Sequence, residues 1–153
     1  MNYADAQLNC QNKFGNLVGK LFEPRLANTN QLVSAAAANF VSGTSDDFWL
    51  GINDLATQGQ YVYASDGETV GSGMWYSDQP SSDNERCVGY YSMPLYGGEW
   101  FDRPCEFLSF SICEPKGTDL VNEIVIWITF MTSSSVFIKL MLCALYRMIC
   151  KLD

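Results

Sequence analysis

Apolar residues at Tyr3, Ala6, Cys10 and Phe14 recur at intervals of three and four. That spacing places them on one stripe of a short amphipathic helix. Leu26, Val33, Ala37, Phe40 and Val41 mark a second helix, with Asn28 or Thr29 as its cap and Ser42-Gly43 as its stop. Further on, the helical period gives way to short β-prone runs: Phe48 to Ile52, Gln60 to Tyr63, Arg86 to Tyr91 and Phe107 to Cys113. Loops dominate residues 53 to 104, punctuated by Asp66-Gly67, Gly71 to Gly73 and Gly97-Gly98. Helices followed by strands predict an α+β fold. Trp49, Trp75, Trp100, Tyr61 and Tyr63 are expected to serve as core aromatics rather than ligand platforms.

Charge divides the chain. Residues 1 to 116 hold six Lys plus Arg against fourteen Asp plus Glu, which accounts for the whole net charge of −8. We read 1–116 as one domain and 117–153 as a hydrophobic tail. The acidic domain repels phosphate backbones and acidic membrane surfaces, so nucleic acid is disfavoured. Divalent cations, neutral ligands and basic partners are left. The chain has no histidine, which removes the usual general base and the serine and cysteine triads, so no enzyme is expected. Glu85 and Asp102 form the sole carboxylate pair that invites a glycosidase reading, and that chemistry needs a defined separation and a raised pKa.

In the tail, Ile124 to Ile138 carries no charge, and tolerating Lys139 extends the apolar stretch to Tyr146. Thr132 to Ser135 weaken its hydrophobicity. It reads either as a membrane anchor or as an alternative C-terminus. As an anchor, Arg147 and Lys151 would hold its far end in the cytosol and leave the acidic domain outside. Met1 to Cys10 has neither the basic nor the apolar region of a signal peptide.

Of six cysteines, Cys10, Cys87, Cys105 and Cys113 lie in the domain, and Cys143 and Cys150 in the tail. With no C-x-x-C pair and no histidine, zinc is poorly supported, and disulfides are the better reading. Spacing alone leaves three pairings of the four domain cysteines open. The run from Trp75 to Glu85 concentrates oxygen donors in Gln79, Ser81, Ser82, Asp83, Asn84 and Glu85, beside Pro80. Calcium takes six to eight oxygens, and a loop supplies several only when its backbone is held rigid.

The motifs Tyr3-x-x-Ala6-x-x-x-Cys10, Phe48-Trp49-Leu50-Gly51-Ile52, Gln79-Pro80, Glu85-x-Cys87, Trp100-Phe101-Asp102, Cys105 and Cys113-Glu114 resemble the C-type lectin-like domain in order and spacing, over residues 3 to 115. The strand that normally precedes the first helix in that family is missing, so the chain reads as N-terminally truncated. The resemblance implies two helices flanking a small antiparallel sheet with a long loop region. It also implies the pairs Cys10–Cys113 and Cys87–Cys105, an oxidising compartment, and a cis bond before Pro80.

By the same resemblance, carbohydrate binding would fall to Gln79, Ser81, Glu85 and Asp102, with Ca2+ held by Gln79, Glu85 and Asp102. Two positions depart from the family pattern: Ser81 is shorter than the usual Asn or Asp, and Phe101 cannot coordinate a cation. A second calcium site would retain Asp54 and Glu85 but meets Gln58, Ser82 and Arg86. Gln79-Pro80-Ser81 is nearer the galactose-type Gln-Pro-Asp than the mannose-type Glu-Pro-Asn and matches neither. The plainer reading is that Gln79, Glu85 and Asp102 are solvated loop residues bonded to one another or to Arg86 or Arg103.

The resemblance therefore implies a carbohydrate-binding lectin domain with a degenerate calcium site and glycans or glycoproteins as partners. It would be extracellular or secreted, or at the cell surface if the tail anchors it. The alternative is a calcium-independent protein-interaction domain of the same fold, anchored on a protein ligand by an exposed Phe101.

Overall fold

The computed structural model describes residues 1–38, 47–91, 98–117 and 127–129. Helix α1 (Tyr3–Gln11) opens on Asn2, whose side chain accepts from the Asp5 N–H at 2.8 Å, and Asp5 places a carboxylate in the first turn. It buries Tyr3, Ala6 and Cys10 as the spacing predicts, while Phe14 lies beyond the helix end and packs there half-buried. Strand β1 (Gly19–Leu21) follows. A Cβ on Gly19 would sit 2.0 Å from the Cys10 carbonyl oxygen, so glycine lets the end of α1 rest directly on β1.

Helix α2 (Ala27–Ala38) starts a residue earlier than Asn28. The Asn30 N–H bonds the Leu26 carbonyl at 3.0 Å, so Asn28 and Thr29 fall within the first turn rather than at the cap. The expected stop at Ser42-Gly43, with Phe40 and Val41, lies outside the described residues.

The remaining strands are β2 (Asp47–Asn53), β3 (Val62–Tyr63), β4 (Cys87–Tyr91), β5 (Trp100–Arg103), β6 (Phe110–Pro115) and β7 (Trp127–Thr129). They join β1 in one sheet of order β1-β6-β2-β4-β5, with β3 added to β2 and β7 to β6. The fold is α+β, but the sheet is mixed rather than wholly antiparallel. β2 and β6 run parallel, Phe48 opposite Phe110 and Trp49 opposite Ser111. All seven residues of β2 are buried, which is why its sequence reads as a continuous apolar run instead of alternating.

Two clusters form the core. Phe22, Phe48, Leu50, Ile52, Val88, Tyr90 and Trp100 pack on one side, and Tyr3, Ala6, Cys10, Leu21, Trp49, Cys87 and Cys113 on the other. Trp49 meets Tyr3 edge-on with ring centroids 5.4 Å apart and donates its indole N–H to the Met1 carbonyl at 3.0 Å. The disulfides are Cys10–Cys113 and Cys87–Cys105, the pairing the resemblance implies.

A polar strap crosses the sheet's end. Buried Glu23 accepts from Lys20 Nζ at 2.6 Å, Arg25 Nη2 at 2.9 Å and the Ser65 N–H at 2.8 Å. Glu114 accepts from the Glu23 N–H at 3.2 Å and pairs with Lys20 at 3.1 Å. Burial pushes the Glu114 carboxyl above the usual glutamate range, against the opposing pull of Lys20.

Candidate functional site

The segment 74–86 is held against β5 from below. Trp100 donates its backbone N–H to the Met74 carbonyl at 2.7 Å and accepts from the Tyr76 N–H at 2.8 Å. Asn30 of α2 fixes the approach to β5 by donating to the Gly98 carbonyl at 2.8 Å and accepting from the Trp100 indole N–H at 3.1 Å. Trp75 packs edge-on between Tyr61 and Trp100, with centroids 4.8 and 5.8 Å away. The Gln79 N–H closes a turn on the Tyr76 carbonyl at 3.0 Å, with Asp78 in the left-handed region at φ 63°.

The Gln79–Pro80 bond is cis, as the resemblance implies, and the residues on both sides of it bond Asp102. Gln79 Oε1 accepts from the Asp102 N–H at 3.1 Å. Asp102 in turn accepts from the Ser81 N–H, at 2.9 Å to Oδ1 and 3.1 Å to Oδ2. The Ser82 N–H lies 3.4 Å from Oδ2. The Ser81 hydroxyl reaches Glu85 Oε2 at 2.8 Å and lies 3.4 Å from Asp102 Oδ1. All four expected site residues therefore meet, and they meet through one another: Asp102 is buried at the floor, Gln79 and Glu85 are half-buried, and Ser81 is exposed at the rim.

Tyr61 belongs to this group as well. Its ring is in the core, as expected, but its hydroxyl lies 3.2 Å from Asp102 Oδ2 and 3.1 Å from the Glu85 carbonyl. Burial, reinforced by the negative charges of Asp102 and Asp54, raises the Tyr61 phenol well above its ordinary pKa, so it stays a donor. Nothing in the chain's periodicity separates this tyrosine from the other core aromatics.

Phe101 corrects one expectation. It is 2% exposed, packed in the larger core cluster opposite Gly89 of β4. A side chain at that glycine would run into the Phe48 carbonyl at 2.6 Å, so the bare backbone lets β4 lie close against β2. Phe101 is not the exposed anchor of a protein interface. Arg86 and Arg103 also pair elsewhere than with Glu85 or Asp102: Arg86 Nε bonds Asp54 Oδ1 at 2.5 Å, and Arg103 lies 3.3 Å from Asp47.

The oxygen set can be weighed against a calcium ion. Two carboxylates, one amide and one hydroxyl suit a hard divalent cation in kind and in charge. Their lone pairs are largely engaged, however. Asp102 is turned onto Ser81, Ser82 and Tyr61, and Gln79 onto the Asp102 N–H. Among the described residues no three carboxylate or cysteine side chains converge as a metal cluster. The second expected site fits a cation less well, because the Arg86 guanidinium already neutralises Asp54, whose other oxygen takes the Gly59 N–H at 2.6 Å.

The disulfide-braced α+β domain sets carboxylate, amide and hydroxyl groups together on one loop. Residues 1–115 match the Lectin C-type domain family, and the chain belongs to it. That family is in general non-enzymatic and carbohydrate-binding, and generally binds Ca2+.

Collectin-10 of Gallus gallus is 30% identical over 116 residues, covering 74% of this chain and 38% of the collectin. The chain thus spans well under half the length of that relative. Among solved structures, the C-type lectin CEL-I from Cucumaria echinata superposes with a TM-score of 0.64 at 20% identity, covering 74% of this chain and 81% of that one. The human scavenger receptor C-type lectin carbohydrate-recognition domain superposes with 0.58 at 24% identity, over 74% and 81% of the respective chains. Both likenesses bear on the fold. No helix among the described residues is long and apolar enough to cross a membrane.

Proposed function

We propose that this domain binds glycans at the loop of Gln79, Ser81, Glu85 and Asp102, and that calcium engages the same loop with low affinity. The observation that carries this reading is the convergence of all four side chains beside the cis Gln79–Pro80 bond. Simple sugars are neutral, so the domain's acidity does not oppose them, and their vicinal hydroxyls can donate to Glu85 and accept from Ser81 and the Gln79 amide.

Calcium would be held by Gln79, Glu85 and Asp102, with water completing its shell, and would supply a coordination point for sugar hydroxyls. Its affinity is low because it competes with the hydrogen bonds already tying these groups together. The two disulfides call for an oxidising compartment, which supports an extracellular or secreted location. The protein-interaction alternative loses its anchor with the burial of Phe101.

A glycan array run with millimolar calcium and again with chelator tests the proposal. Binding by the wild type, lost in Glu85→Gln with near-ultraviolet circular dichroism unchanged, is the expected result. An empty array for a folded wild-type protein would overturn it.

A further inference from the structure

Ser111 and Cys113 of β6 are fully buried, so their backbone N–H and C=O groups need partners. On one side β6 meets β2 and β1, with Phe110 and Ser111 opposite Phe48 and Trp49, and Cys113 to Pro115 opposite Leu21 to Gly19. The Ile112 carbonyl turns to that side, where it accepts from the Phe22 N–H at 2.8 Å. Backbone groups of successive strand residues point in alternate directions, so those of Ser111 and Cys113 face away from β1. There lies β7, with Ser111 opposite Thr129, Ile112 opposite Ile128 and Cys113 opposite Trp127.

The same alternation turns the N–H groups of Trp127 and Thr129 toward β6 and that of Ile128 away. The surrounding sequence suits a strand: Ile-Val-Ile-Trp-Ile-Thr-Phe-Met from 124 to 131 is rich in β-branched and aromatic residues, with no charge and no proline. Residues 114 to 126 separate the paired Cys113 and Trp127, far more than a tight hairpin turn uses.

We propose that the outer edge of β6 is a strand-binding surface whose occupant is the chain's own Trp127–Thr129. This tail segment completes the lectin sheet in cis instead of crossing a bilayer. Without it, the buried backbone groups of Ser111 and Cys113 lose their partners and β6 becomes an open edge.

Residue-resolved hydrogen exchange on the disulfide-intact protein tests this, comparing the full chain with a chain ending at Gly117 and with Thr129→Pro, which removes one N–H facing β6. The Ser111 and Cys113 amides are expected to exchange on the order of a hundredfold faster in both variants, while the Phe22 amide, bonded across the opposite side, stays protected. In flotation with phosphatidylcholine vesicles the full chain is expected to remain with the unbound protein. Equal protection in all three proteins, or co-flotation of the full chain, overturns the proposal. Protection that falls on dilution of the full chain also overturns it, because the strand would then come from a second copy.

Discussion

Asp102 bonds to both ends of the loop it faces, accepting from Ser81 and Ser82 while its own N–H holds Gln79. Replacing it with alanine strands two backbone donors and the Tyr61 hydroxyl. Hydrogen bonds to a charged acceptor are each worth about 1.5–3 kcal/mol, and solvent can reach part of this rim, so Asp102→Ala should lower stability by about 2–3 kcal/mol and abolish glycan binding. Urea denaturation and a glycan array check the two halves separately. Tyr61→Phe removes only one donor and should cost about 1 kcal/mol, with weakened rather than abolished binding.

Glu114 carries a pH signature. Its carboxyl ionises at higher pH when folded than when unfolded, so its contribution favours the native state at low pH and is lost as pH rises through the raised value. The stability difference between wild type and Glu114→Gln should therefore move in the variant's favour on going from about pH 4 towards neutrality. Thermal melts across that range measure it.

At the scale of elements, close approaches matter more than propensity. α1 sits on β1 because Gly19 lacks a side chain, and Gly19→Ala would drive a Cβ into a backbone carbonyl that cannot swing aside. Overpacking of this kind typically costs about 1–3 kcal/mol, readable as a lowered urea midpoint with the Cys10–Cys113 bond intact.

α1 was legible because its apolar spacing is set by the surface it buries, and β2 because it is buried throughout, whereas in α2 Val33 is buried but Leu26 lies before the helix and is exposed. The convergence of the candidate site residues was legible for a different reason: Gln79-Pro80, Glu85 and Trp100-Phe101-Asp102 carry a family pattern. Phe101 was misread because a sequence does not say which face of β5 meets the core. β1 and β7 are too short for a period to register. β5 hid among the turn residues around it, and the parallel pairing of β2 with β6 follows from tertiary topology that no local pattern encodes.

For the molecule as a whole, the two crosslinks divide the work. Cys10–Cys113 closes 103 residues, and a loop of that length corresponds to about 4–5 kcal/mol in the chain-entropy account. Cys87–Cys105 closes only 18 residues, about 3 kcal/mol, but it staples β4 to the turn that follows β5. Serine at both Cys87 and Cys105 should lower the melting temperature by roughly ten degrees and weaken glycan binding as well, because the loop loses its brace. Calcium gives a further check on the intact domain. At ten times its dissociation constant it should add about 1.4 kcal/mol and raise the melting temperature by a few degrees, reversed by chelator. No shift at millimolar calcium would leave the sugar to be held by hydrogen bonds alone.

Asn30 spends its whole amide behind the loop, gripping the Gly98 carbonyl and the Trp100 indole from within α2. Trp100 in turn carries Met74 and Tyr76 on its backbone. Helix and loop rim are thus geared like two ends of one lever. A force that tilts α2 would tip the rim with it, and a pull on the rim would be felt at the helix.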